Sequence, residues 1–167
     1  SGGVGVMAIQ IAKALGAYVI GVCSASNQQL AVSLGADEVI DYHANPDLSG
    51  VAAIHVFFDV VSCFSAKGVQ HMLDQDGIYI NTLPKPATLL GQALCNRMTK
   101  QKQYTVLVKP HGIHLQKLHQ WLATGQIHPV IEKSYPLQQI ASAHKHSEAG
   151  HVKGKLSIVI INDNQSS

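Results

Sequence analysis

A glycine turn stands at the head of the chain. Ser1-Gly2-Gly3-Val4-Gly5 runs straight into a helical pattern, with Val4, Ala8, Ile11, Ala12 and Leu15 on one stripe and Lys13 on the other side. Such glycines let bare backbone touch a pyrophosphate. The helix that starts there aims free N–H groups and the positive end of its dipole at the phosphate charge. The full fingerprint reads G-x-G-x-x-G after a strand. Gly2 and Gly5 fit its second and third glycines, so its first glycine and strand are expected upstream of residue 1. The chain reads as a piece of a larger protein.

Strand and helix signals then alternate. Gly16 stops the first helix, and Ala17–Cys23 (AYVIGVC) reads as a strand covered on both faces. Ser26 is placed to cap a helix striped by Leu30, Ala31 and Leu34 and ended by Gly35. Glu38–Tyr42 is a short strand, and Asn45-Pro46-Asp47 breaks the chain. The run HVFFDVV, ending at Val61, is the best candidate for a central strand. Residues 64–73 read as a helix, Gly77–Thr82 as a strand, and Pro84 and Pro86 as a loop. Thr88–Lys100 reads as a helix, Tyr104–Val108 as a strand, and Gly112–Thr124 as a helix striped by Leu115, Leu118 and Leu122. A polar helix over 137–148 and a strand over Leu156–Ile161 close the pattern. This order predicts an α/β fold: a Rossmann-type doubly wound, mostly parallel sheet with helices on both faces and its first strand missing. One domain is expected over 1–161, with a frayed tail over 162–167.

Composition narrows the partners. The 167 residues are 46% hydrophobic and 13% charged, which suits a globular domain with many buried strands. The net charge is +2 with no basic run, which gives nucleic-acid binding no electrostatic support. Cys23, Cys63 and Cys95 lie far apart, so neither a zinc knuckle nor a disulfide framework is indicated, and a reduced, cytoplasmic setting is expected. There is no charged leader, and no apolar stretch approaches membrane-spanning length, so no membrane partner is expected.

Four segments in order carry a family resemblance. SGGVGVMAIQIAKALGAYVIGV, then LGADEVIDY at Leu34–Tyr42, then FDVVS at Phe58–Ser62, resemble the medium-chain dehydrogenase/reductase superfamily. GQIHPVIEKSYPLQQIASAH at Gly125–His144 and GHVKGKLSIVI at Gly150–Ile160 are similar to the closing segment of its zinc-independent, zeta-crystallin-like quinone oxidoreductase branch. The resemblance implies a GroES-like catalytic domain ahead of this nucleotide-binding one. It also implies NADPH as cofactor and a quinone, enone or other electron-poor carbonyl compound as hydride acceptor. Pairing of two copies through sheet edges, with Tyr104–Val108 as one such edge, is a further expectation. The family's zinc residues fall mostly outside this stretch, so no metal is expected here.

Cofactor residues can then be placed. Gly2, Gly3, Val4 and Gly5 cradle the pyrophosphate. NAD-binding relatives put an acid about twenty residues on, to hold the ribose 2′-hydroxyl; here that place falls near Cys23. A 2′-phosphate would therefore not be repelled. Ser24, Ser26 and Asn27 can donate hydrogen bonds to it, Ser26 also serving as a cap. The lysine that the family often adds nearby is replaced by Gln28 and Gln29, so NADH stays open as second cofactor. The resemblance sets Tyr42 near the adenosine phosphate, and Val61, Ser62, Thr82 and Leu83 on the nicotinamide-ribose side. Cys63 stands where many relatives have glycine, which predicts a reshaped turn. Asp59, a carboxylate in an apolar strand, needs a partner.

No catalytic nucleophile–base pair is visible, as suits an enzyme that holds two reactants for hydride transfer. His144 and His146, and the group His111, His114 and His119, lack metal-ligand spacing and read as solvent-facing. Lys153 and Lys155 read as surface residues, with a phosphate role open. Two rivals remain. One is a zinc-type, NAD-using alcohol dehydrogenase; the other is a non-catalytic nucleotide-binding or assembly module.

Overall fold

The computed structural model describes residues 2–83, 92, 96–107 and 111–160. These fall into two compact units, one within Ser1–Asp47 and Gly112–Ser167, the other within Leu48–His111. Among the described residues every strand pairing is parallel. Helical crossovers connect most of the paired strands, as parallel pairing requires.

The first unit begins with helix α1 (Gly5–Ala14), strand β1 (Ile20–Cys23), a 3₁₀ turn (Ala25–Asn27), helix α2 (Gln28–Ser33) and strand β2 (Glu38–Asp41). β1 and β2 pair in register, with Ile20 opposite Glu38 and Cys23 opposite Asp41. Cys23, Ala31 and Ala36 form a small core, against which Ile9, Val19 and Val39 pack. The small side chains let α2 lie close on the strands. Lys13, in the last turn of α1, donates to both carboxylate oxygens of Asp37 at 2.9 and 2.8 Å, and the Val19 amide donates to the same group. That pairing pins α1 to the start of β2 and, with Lys13 the main cause, holds the Asp37 carboxyl below its usual range.

The unit resumes with helix α4 (Gly112–Ala123), strand β6 (Ile131–Pro136), a 3₁₀ turn (Leu137–Gln139), helix α5 (Ile140–Glu148) and strand β7 (Lys155–Val159). β6 and β7 pair, and Gly2 bridges Gly154 just ahead of β7. Trp121, Ile127, Tyr135 and Ala143 are buried here.

The second unit holds strand β3 (Ile54–Asp59), helix α3 (Ala66–Val69), strand β4 (Leu73–Asn81) and strand β5 (Lys102–Thr105), in the ladder order β3-β4-β5. Ser65 caps α3 by accepting from the Gly68 amide at 3.0 Å. Leu48, Val69, Met72, Leu73 and Tyr79 form its buried set.

The α/β fold with parallel strands is as the alternation predicts. Several details differ. The buried face of α1 is Val6 and Gln10, whereas Val4 and Leu15 are exposed. Gln10 can be buried because its side chain closes a two-way bond with the backbone of one residue: Nε2 donates to the His128 carbonyl at 3.0 Å and Oε1 accepts from the His128 amide at 2.8 Å. Ser26 caps nothing; it lies inside the 3₁₀ turn. β1 is not covered on both faces, since Val22 is exposed. β3 is an edge of its described ladder and β4 its centre, which leaves Val56 and Phe58 exposed. The helix expected over 64–73 is only Ala66–Val69, because Leu73 already belongs to β4. Leu115 and Leu122 of α4 are exposed, and Trp121 is its buried residue. β6, with the polar sequence IEKSYP, is a strand that periodicity does not flag. The loop at Pro84 and Pro86, most of the Thr88–Lys100 helix, Val108, Cys95, Ile161 and the tail 162–167 lie outside the described residues.

Candidate nucleotide site

In the first unit, α1 grows directly out of the glycine turn. Gly2 carbonyl accepts from the Val6 amide at 3.1 Å and Val4 carbonyl from the Ala8 amide at 2.9 Å. Helix geometry gives the amides of the opening turn no carbonyl partner of their own. A Cβ added to Gly2 or Gly5 would meet nothing within 4 Å, so the space above them is open. Gly3 differs: a Cβ there would fall 2.4 Å from the Lys155 Nζ. The ammonium of Lys155 thus lies over the turn, and the turn makes room for it.

At the carboxyl end of β1 the thiol of Cys23 is buried, and burial is the main cause that pushes it above the usual thiol range. The residue at the place of the ribose-binding acid is therefore neutral. Asp37 sits at the far end of β2, engaged by Lys13. Asp41 is opposite Cys23, and one of its oxygens accepts from the His43 amide at 2.9 Å. Beyond Cys23 comes a polar loop. Asn27 Nδ2 donates to Ser24 Oγ at 2.9 Å, and the Ser24 and Ser26 hydroxyls lie 3.2 Å apart. Asn27 Oδ1 is buried with no hydrogen-bond partner. The Tyr42 amide donates to the Cys23 carbonyl at 3.3 Å, which ties Tyr42 to the same strand end. Its half-exposed ring lies against His43, tilted at 42° with the ring centres 4.4 Å apart.

In the second unit, the carboxyl ends of β3 and β4 meet. Thr82 Oγ1 donates to the Val60 carbonyl at 2.8 Å. Asp59, 5% exposed, organises the turn. Its Oδ1 accepts from the amides of Val61 and Cys63, each at 3.2 Å; its Oδ2 accepts from the Phe64 amide at 2.8 Å and the Tyr79 hydroxyl at 3.3 Å. The partner that the sequence demanded for Asp59 is this ring of donors. Burial first, and the neighbouring Asp59 charge next, push the Tyr79 phenol up to about 12. In this turn the left-handed residue is Ser62, at φ 56°, with its Oγ buried and unpartnered. Val61 and Leu83 are exposed beside it.

Of the residues singled out in the sequence, Gly2, Gly3, Val4, Gly5, Ser24, Ser26, Asn27 and Tyr42 lie in the first unit. Val61, Ser62, Thr82 and Leu83 lie in the second. Each unit presents its set at strand ends or at the glycine turn. Lys153, read as a surface residue, reaches into this region: its Nζ donates to the Ser26 carbonyl at 3.3 Å. His146 is not simply solvent-facing, since its Nδ1 pairs with the Tyr135 hydroxyl at 2.8 Å and its Nε2 lies 3.8 Å from Glu132. Among the described residues, no three His, Cys, Asp or Glu side chains come together as a metal-ion site. Among the same residues, no helix is long and apolar enough to cross a membrane.

Comparison with known proteins shows the family. The sequence model of the family described as "Zinc-binding dehydrogenase" matches residues 34–158. The zebrafish (Danio rerio) protein named NAD(P)H oxidoreductase RTN4IP1, mitochondrial, is 29% identical over 98% of this chain and 48% of its own length. The quinone-oxidoreductase QR1, chloroplastic, of Triphysaria versicolor is 32% identical over 93% of this chain and 49% of its own length. The solved quinone oxidoreductase of Coxiella burnetii superposes with a TM-score of 0.76, at 26% identity, over 94% of this chain and 49% of that one. The chain thus spans about half the length of the curated relatives it matches.

Proposed function

The chain belongs to the zinc-binding dehydrogenase family, in the quinone oxidoreductase-like part of the medium-chain dehydrogenase/reductase superfamily, and on that premise we propose that it is the dinucleotide-binding half of an NADPH-dependent oxidoreductase. The observation that carries the reading is the opening turn. Bare glycines, the positive end of a ten-residue helix and a lysine ammonium converge there, as a diphosphate requires. The orphaned Asn27 Oδ1, an acceptor, fits a ribose hydroxyl, and the neutral Cys23 puts no charge against a 2′-phosphate.

In this reading Gly2, Gly3, Val4 and Gly5 hold the diphosphate. Ser24, Ser26 and Asn27 hold the adenosine ribose, with Tyr42 beside the adenosine phosphate. Val61, Ser62, Thr82 and Leu83 line the nicotinamide ribose. When bound, the nicotinamide would supply the hydride for reduction of a quinone or another electron-poor enone or carbonyl compound. The chain's own residues bind and orient; none gives or takes a proton. The family's name implies zinc, but among the described residues no three His, Cys, Asp or Glu side chains come together to hold it. The acceptor meets the nicotinamide against a catalytic domain outside this chain.

The test is titration of the purified chain with NADPH and with NADH, followed by nicotinamide fluorescence. Saturable binding, tighter for NADPH, is the expected result. Binding of neither overturns the proposal.

A further inference from the structure

Gln28 and Gln29 stand where the resemblance implies a phosphate-pairing lysine, yet the structure brings a lysine to the same loop from the other end of the sequence. Lys153 Nζ donates to the Ser26 carbonyl at 3.3 Å, across 127 positions of chain. Its position is fixed from behind, because the Lys153 amide donates to Glu132 Oε2 at 2.9 Å. Gly154 follows, buried, at φ 76°; a Cβ there would lie 2.3 Å from the Val130 carbonyl oxygen, so only glycine fits. Its bridge to Gly2 docks this segment onto the glycine turn. Lys155 comes next and lies over Gly3.

One short segment, Lys153-Gly154-Lys155, therefore delivers one ammonium to the serine loop and another to the glycine turn. All of these residues belong to the same unit. A lysine held only by one neutral carbonyl can exchange that bond for a stronger, charge-assisted one to a phosphate. The serine hydroxyls and the Asn27 amide nearby cannot neutralise a phosphate dianion by themselves.

We propose that Lys153 determines the preference for NADPH over NADH by pairing with the 2′-phosphate, while Lys155 pairs with the diphosphate that both cofactors share. The proposal rests on the nucleotide-binding reading above and assigns its specificity to one side chain.

Calorimetric titration of the chain and its variants with NADPH and NADH separates the two. Lys153→Met raises the Kd for NADPH on the order of tenfold or more and leaves NADH within about twofold, because only one cofactor carries the lost partner. Lys153→Arg retains most of the preference. Lys155→Met weakens both cofactors by similar factors. In the unaltered chain, added salt weakens NADPH more steeply than NADH, a readout that needs no variant to fold. An unchanged NADPH-to-NADH ratio in Lys153→Met, with NADH still bound, overturns the assignment of Lys153 and leaves the nucleotide reading standing. Binding of neither cofactor by the unaltered chain overturns both. Equal salt dependence for the two cofactors also counts against Lys153.

Discussion

The glycine turn of the first unit and the Asp59 turn of the second make a useful pair. Each is a tight bend beside a parallel strand, and each gathers polar groups. In the Asp59 turn most of those groups satisfy one another: three amides and a phenol surround one carboxylate, and only the Ser62 hydroxyl among its described polar groups is buried without a partner. In the glycine turn they do not. The space above Gly2 and Gly5 is open, a cation lies over Gly3, and a buried amide oxygen in the next loop has no partner. Saturated polar groups build structure; unsaturated ones await a ligand. The same kind of substitution should therefore cost stability in one turn and affinity in the other.

The largest effect is expected at Asp59. Asp59→Ala leaves the amides of Val61, Cys63 and Phe64 short of an acceptor in a buried site, while the Tyr79 hydroxyl keeps the Phe64 carbonyl at 2.8 Å, and destabilises the chain by about 3 kcal/mol. Urea unfolding checks this; a loss under about 1 kcal/mol would show that water replaces the carboxylate at little cost.

Alkaline pH probes the same turn less harshly. The Tyr79 phenol sits at about 12 in the folded chain against 10.0 for an ordinary tyrosine. Its raised value means that the folded state keeps a proton the unfolded state has already lost. The contribution is whole below pH 10 and fades as pH climbs toward 12. Denaturant midpoints should fall across that window, and Tyr79→Phe should flatten the fall. Tyr18, raised mainly by its hydrogen bond to Glu38, adds a weaker exposed contribution that Tyr79→Phe leaves in place.

The smallest change in stability belongs to the glycine turn. Gly3→Ala only pushes aside the flexible end of Lys155, and stability stays within about 0.5 kcal/mol. Affinity for NADPH and NADH should fall together, several-fold, because the methyl occupies the diphosphate's approach. Paired unfolding and binding curves for this one variant decide whether the turn is structural or ligand-holding.

The sequence carried much of this, unevenly. The alternation of strand and helix, the glycine turn and the need of Asp59 for a partner were all legible, because each rests on local pattern or on the cost of a buried charge. β6 was not: IEKSYP is exposed along most of its length and, among the described residues, pairs only with β7, so it has no apolar period to show. Gln10 was hidden for the opposite reason, as a polar residue buried by a bond to a peptide 118 positions away. The cation at the serine loop was hidden likewise. The family resemblance puts a lysine close in sequence to Ser26, where this chain has Gln28 and Gln29; the cation arrives instead from Lys153, across a bridge between Gly2 and Gly154 that only the folded chain forms. Long-range polar contacts leave no periodic trace.

The central claim is that the opening turn holds the diphosphate of a pyridine dinucleotide. Backbone amide resonances of the isotope-labelled chain, followed as NADPH is added, test it most directly. The account predicts that the largest shifts fall at Gly2, Gly3, Val4 and Gly5, with a second group at Ser24, Ser26 and Asn27. Saturable shifts centred elsewhere, with the glycine amides unmoved, would contradict it.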